Sequence, residues 1–128
     1  MRKDREQPLS RPLSAEQGTV VAETAVALPA LAMIFVLLLW GMAVAAAQLR
    51  CIDAARIAAR ALARGEQDKA SRDAAVAAAP NGAKVRVTRT GDLVQVQVWA
   101  QVPPPGPLLS TLPGIRISEQ AVAAAESS

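Results

Sequence analysis

Apolar and polar positions alternate with three different rhythms along this chain. From Gly18 to Leu49 there is scarcely any alternation, and between Glu23 and Arg50 lie 26 residues without a formal charge. As a helix this run is roughly 39 Å long, enough to cross a ~30 Å hydrocarbon core with some tilt, with every backbone polar group bonded inside the segment. A chain of 128 residues has too little other protein to cover a core helix of that length. The pattern therefore predicts a transmembrane helix over residues 19–49.

The helical signal continues, but its character changes. From Leu49 to Arg64 alanine dominates, with neither Gly nor Pro, which favours helix. Asp53, Arg56, Arg60 and Arg64 fall on one face, read as a solvated one; Leu49, Ile52, Ala55, Ala59 and Leu62 fall roughly opposite, with Ile57 as the exception. Gly65 supplies a stop for a helix over about 50–64. Asp68 is the expected N-cap of a second helix, about 69–79, ended by Pro80.

After the turn Pro80-Asn81-Gly82 the period becomes two. Val85 and Val87 alternate with Lys84, Arg86 and Thr88; Val94, Val96, Val98, Ala100 and Val102 alternate with Gln95, Gln97, Trp99 and Gln101. With Thr90-Gly91-Asp92 between them, these are two antiparallel strands, about 84–90 and 93–102, with one buried face. Pro103-Pro104-Pro105-Gly106-Pro107 imposes an extended, irregular connector to about Gly114. Residues 115–122 alternate weakly and read as a third strand, although the alanines after them suit helix equally. The fold class is α+β: a long N-terminal transmembrane helix continuing into a soluble amphipathic helix, a second short helix, and a small antiparallel sheet of two to three strands.

Composition narrows the chemistry. A 13.3 kDa chain allows one small domain beside the span, here residues 50–128. The 79 residues after Leu49 hold one aromatic residue, Trp99, so its core is modest and gains from support by the helix, the membrane or neighbouring subunits. Residues 1–17, with two prolines and mixed charges, bury too little to fold. The net charge of +3 is dispersed, and no aromatic–basic interleaving suggests nucleic acid. With no histidine and one cysteine, Cys51, multi-cysteine zinc sites, Cys–His pairs and intramolecular disulfides are excluded by count. Cys51 reads as a small residue packed in a helix interface. No phosphate loop, nucleophile elbow or paired carboxylates appear; the expectation is a non-enzymatic protein without cofactor or metal.

Charge alone leaves orientation open, because Arg2, Lys3, Arg5 and Arg11 before the span are balanced by Arg50, Arg56, Arg60 and Arg64 after it. Within the span, Pro29 removes one helical N–H bond and is expected to kink the helix. Trp40, about 24 Å along from Thr24, is placed for an aromatic belt. Ala43 and Ala47 offer a small-residue face to another helix. The one charged group at the edge of the run is Glu23. Such a carboxylate costs up to about 2.5–3.5 kcal/mol at the centre of a membrane helix, though in a first helical turn it also suits the dipole.

Glycine followed at the fifth position by glutamate and then by an apolar helix resembles the processing site of type IV prepilins. The wider match is to the TadE-like pseudopilins of tight-adherence (Flp-type) pilus systems. It rests on Gly18-Thr-Val-Val-Ala-Glu23, Ala25-Val-Ala-Leu-Pro29-Ala, Leu39-Trp40-Gly41 and Ala46-Ala-Gln-Leu-Arg-Cys51-Ile-Asp-Ala-Ala-Arg56, and covers about residues 15–65. The resemblance implies that a prepilin peptidase removes residues 1–18, cutting between Gly18 and Thr19. It implies an N-terminus in the cytoplasm, a C-terminal domain outside it, and Glu23 pairing with the new N-terminal amine of an adjacent subunit. Flp-type major pilins are similar but much shorter, and usually have tyrosine where Thr24 stands, which implies a minor pilin or pseudopilin instead.

The expected partners are the prepilin peptidase, other pilin and pseudopilin subunits, the pilus assembly platform and the lipid bilayer. The competing reading is a surface domain without a filament role. It is either secreted by a signal-peptidase cut after Ala43-Val44-Ala45, or held by its uncleaved span.

Overall fold

A computed structural model describes residues 13–125, with side chains from Ala15. The elements run α1 (Leu13–Ala63), α2 (Asp68–Ala78), β1 (Lys84–Thr90), β2 (Leu93–Val102) and β3 (Ile115–Ala124), the expected α+β order. The chain divides into two compact units between Phe35 and Val36, inside α1.

In the first unit, α1 begins at Leu13. Residues 13–18, expected without regular structure, are therefore helical, and the rest of the expected leader lies outside the described residues. Ser14, Ala15, Glu16 and Gln17 contain no breaker, and Glu16 sits in the first turn, where a negative charge suits the helix dipole. The helix continues through Pro29 without a break. Its side chains from Ala15 to Phe35 are exposed, and α1 is long and apolar enough to cross a membrane.

In the second unit, α1 lies on a three-stranded antiparallel meander with β2 at its centre. The inner face of β2 is a run of buried Val94, Val96, Val98 and Ala100; Val85 and Val87 of β1 and Ile117 and Ala121 of β3 flank it through the register Val85↔Val98, Val87↔Val96, Val96↔Ala121 and Ala100↔Ile117. Against it α1 buries Ala47, Cys51, Ala54, Ala55, Ala58, Ala59 and Leu62. The expected stripe is covered in part: Ala55, Ala59 and Leu62 are buried, Ile52 is half-buried and Ile57, the expected exception, is exposed, but Leu49 is 63% exposed. On an alanine-rich helix, residue size alone does not mark the covered face: the sheet covers Leu62 together with the alanines and leaves Leu49 outside. Ala47, expected to be open to another helix, is already part of this core.

The turns follow their local chemistry. Gly65 stands at φ 81, with Gly65 N–H donating to Leu62 O (3.0 Å) and Glu66 N–H to Ala61 O (3.1 Å), the paired bonds of a Schellman C-cap. The β1–β2 connection is the two-residue loop Gly91-Asp92, with Gly91 at φ 60. Asp68, expected as the N-cap of α2, is its first helical residue; Gln67 occupies the cap position and makes no side-chain cap bond. The Asp68 carboxylate instead accepts from the Arg89 guanidinium and ties α2 to β1. Residues 103–114 are not extended throughout, since Pro107–Leu109 form one 3₁₀ turn. The alternating tail is a full strand, β3, because the free edge of β2 offers its backbone a ladder from Val102↔Ile115 to Leu93↔Ala124.

Candidate functional site

The residues expected to matter most lie on the first stretch of α1, where the side chains sort themselves chemically. Thr19 Oγ1 donates to Ala15 O and Thr24 Oγ1 to Val20 O, each at 2.9 Å. Both hydroxyls are thus satisfied inside the helix and cost little in an apolar medium. Glu23 is exposed, and no side-chain hydrogen bond or ion pair reaches it among the described residues. It stands as a bare carboxylate at the edge of a helix surface that is exposed and uncharged to Phe35, where the first unit ends.

Gly18 lies one and a half turns earlier. A Cβ built on it would meet nothing within 4 Å, and glycine inside a helix costs about 1 kcal/mol relative to alanine. Among the described residues nothing requires glycine there. Gly18, Thr19 and Glu23 are therefore neighbours on one continuous helix, and Pro29 follows Glu23 on it.

The rest of α1 is fastened to the sheet by two long-range hydrogen bonds. Trp40 Nε1 donates to Pro103 O at 3.0 Å, so this half-buried indole holds the proline-rich loop. Gln48 Nε2 donates to Glu119 Oε1 at 3.1 Å. Glu119 was not singled out by the sequence, although its parity with Ile117 and Ala121 puts it on the inner face of β3. Cys51 is fully buried beside it. Burial pushes the Cys51 thiol up from its ordinary value, and the Glu119 charge adds to the effect. The Arg89 hydrogen bond holds the Asp68 carboxyl below its ordinary value.

On the opposite face of the sheet, Trp99 carries the Arg86 guanidinium over its ring, 5.4 Å from the centroid. Lys84 is the cross-strand partner of Trp99, and Arg116 that of Gln101. This cluster is drawn from three strands, so no linear stretch of sequence displays it. Among the described residues no group of three or more His, Cys, Asp or Glu is placed to hold a metal ion.

Among the described residues, fold and site define a protein with one helix long and apolar enough to cross a membrane, followed in the chain by a small α+β head. It belongs to the same family as the protein named apoptosis inhibitor Rv3655c of Mycobacterium tuberculosis, with which it is 39% identical over 104 residues, 81% of this chain and 77% of the relative. No family profile matches the chain, and no solved structure is significantly similar to it.

Proposed function

We propose that this protein is a non-enzymatic minor pilin or pseudopilin. It is inserted with its N-terminus in the cytoplasm, cut by a prepilin peptidase between Gly18 and Thr19, and assembled through its N-terminal helix into or at the base of an Flp-type pilus. The observation that carries the proposal is Glu23: a carboxylate without a partner among the described residues, at the edge of a long uncharged helical run, five residues past a glycine that no described neighbour requires. A peptidase that needs a small residue beside the scissile bond accounts for Gly18. The new ammonium on Thr19 of a neighbouring subunit accounts for Glu23. In an apolar bundle each charge is tolerable only in the presence of the other, so the pair fixes register between subunits more than it adds net stability. Pro29 leaves one carbonyl of the preceding turn without its usual N–H, a local weakness at which the helix can bend as it passes from bilayer to filament.

The test is Glu23→Ala in cells that make the other pilus subunits. Insertion in the membrane persists, and co-purification with partner pilins is lost. Unchanged recovery of those partners would refute the pairing role.

A second reading is carried by Ala43-Val44-Ala45, which resembles a signal-peptidase site: a secreted or membrane-anchored surface domain with no filament role. Under it Glu23→Ala has no consequence for any assembly.

A further inference from the structure

The loop end of the head has the layered chemistry of a membrane interface. Within the unit that starts at Val36, α1 presents Val36, Leu38, Leu39 and Met42 to the exterior, Leu38 63% and Met42 70% exposed. The Trp40–Pro103 bond places the 103–114 loop beside this stretch. Further along α1, Gln48 meets Glu119, whose cross-strand partner is Val98. The two bonds fix direction: moving along α1 away from its apolar stretch means moving back along β2, from residue 103 towards 98.

Along that direction the side chains change in order. The loop comes first, with Leu108 90% and Leu112 50% exposed, and Ile115 at its end also exposed. Next comes a hollow of about 280 Å³ lined by Gly82, Lys84, Trp99, Ala100, Gln101 and Arg116, with Arg86 stacked on Trp99. Among the described residues, two cations and an indole line it and no carboxylate does. Beyond it the outer face of β2 continues with neutral Gln97 and Gln95. The loop is built rather than loose. Ser110 Oγ donates to Pro107 O at 2.6 Å, Leu112 N–H donates to Leu109 O at 2.9 Å, and Gly114 fits so closely that a Cβ there would lie 2.9 Å from Val102 O.

Apolar tips, then cations with tryptophan, then neutral polar groups is the sequence of hydrocarbon edge, anionic headgroup and water. We propose that the head docks on the bilayer that its own helix spans. Leu108 and Leu112 enter the interface, and Lys84, Arg86 and Arg116 meet anionic phospholipid headgroups. The inference rests on α1 crossing the membrane but not on the filament role.

The experiment places a nitroxide at Leu108→Cys, Gln95→Cys or Leu31→Cys, each in a full-length Cys51→Ala background. The chain is reconstituted in phosphatidylcholine vesicles with and without about one-third phosphatidylglycerol. Collision with oxygen is compared with collision with a water-soluble nickel chelate. Labels at positions 108 and 31 should favour oxygen, and the label at 95 should favour the chelate. Adding Lys84→Gln and Arg116→Gln should lower the docked-to-undocked ratio at position 108 about fivefold for each charge removed, only in the anionic vesicles.

A water-exposed label at 108 beside an immersed label at 31 overturns docking and leaves the span intact. If the label at 31 is also in water, the span itself fails and takes docking with it. A label at 108 shielded from both reagents means that protein covers the loop, which overturns the lipid assignment. An unchanged phosphatidylglycerol response after neutralisation overturns the headgroup contacts.

Discussion

Leu62 and Leu49 provide the sharpest test of how the head is held together, because the sequence pattern puts both on one stripe and the fold separates them. Leu62 is 1% exposed against the valine face of β2, whereas Leu49 is 63% exposed. Truncating a fully buried leucine to alanine removes its transfer free energy and leaves a cavity, together about 3–4 kcal/mol. Truncating Leu49 removes only a fraction of a side chain's burial, under about 1 kcal/mol. A head of this size has a total stability of about 5–10 kcal/mol, so Leu62→Ala consumes a third of it or more. The readout is amide hydrogen exchange of the full chain in a bilayer mimic, followed over Leu93–Val102, whose most protected amides exchange by global opening of the head. A loss of about 3 kcal/mol accelerates them roughly 150-fold, and Leu49→Ala accelerates them less than about fivefold. Equal effects, or a larger effect at Leu49, would show that the stripe actually covered is the one the hydrophobic pattern suggested.

Other expectations follow from single contacts. Ser71 Oγ is fully buried with no hydrogen-bond partner among the described residues, so Ser71→Ala should leave the urea midpoint unchanged or raise stability by about 1 kcal/mol; a comparable loss would mean that the hydroxyl has a partner. Cys51 should resist alkylation until the head unfolds. Because its folded thiol lies above the ordinary value of 9.0, the stabilisation it gives is complete below that pH. It declines as pH rises from there through the folded value, and Cys51→Ala should remove that decline in denaturant titrations. Gly114→Ala forces a methyl against the Val102 carbonyl and should cost about 1–3 kcal/mol, seen as faster exchange in residues 103–114; wild-type protection there would mean that the loop base is not tightly packed.

Much of this fold is legible in the chain because its signals are local. Period two with valine at most inward positions gives β1 and β2 to the residue, and Gly91 marks the turn between them. Gly65 ends α1 by the one conformation that glycine adopts most readily. What was hidden depends on neighbours. Alanine is nearly indifferent to burial, so only the sheet reveals that Ala54 and Ala58 face inward while Leu49 does not. Asp68 looks like a cap until Arg89, twenty-one residues away, takes its carboxylate. Trp40 is readable as an interface residue but not as the donor to Pro103, and the Lys84–Arg86–Trp99–Arg116 cluster exists only once three strands pair. In the candidate site the reverse holds: Gly18, Thr19, Glu23 and Pro29 lie on one helix, and their spacing in sequence already is their spacing in space.

The central claim is that the helix is matured at Gly18. Intact mass and N-terminal sequencing of the chain recovered from its native membranes test it directly. A mature chain beginning at Thr19 is the predicted result. A chain beginning at Met1 or Arg2, or one cut near Ala46, would contradict it.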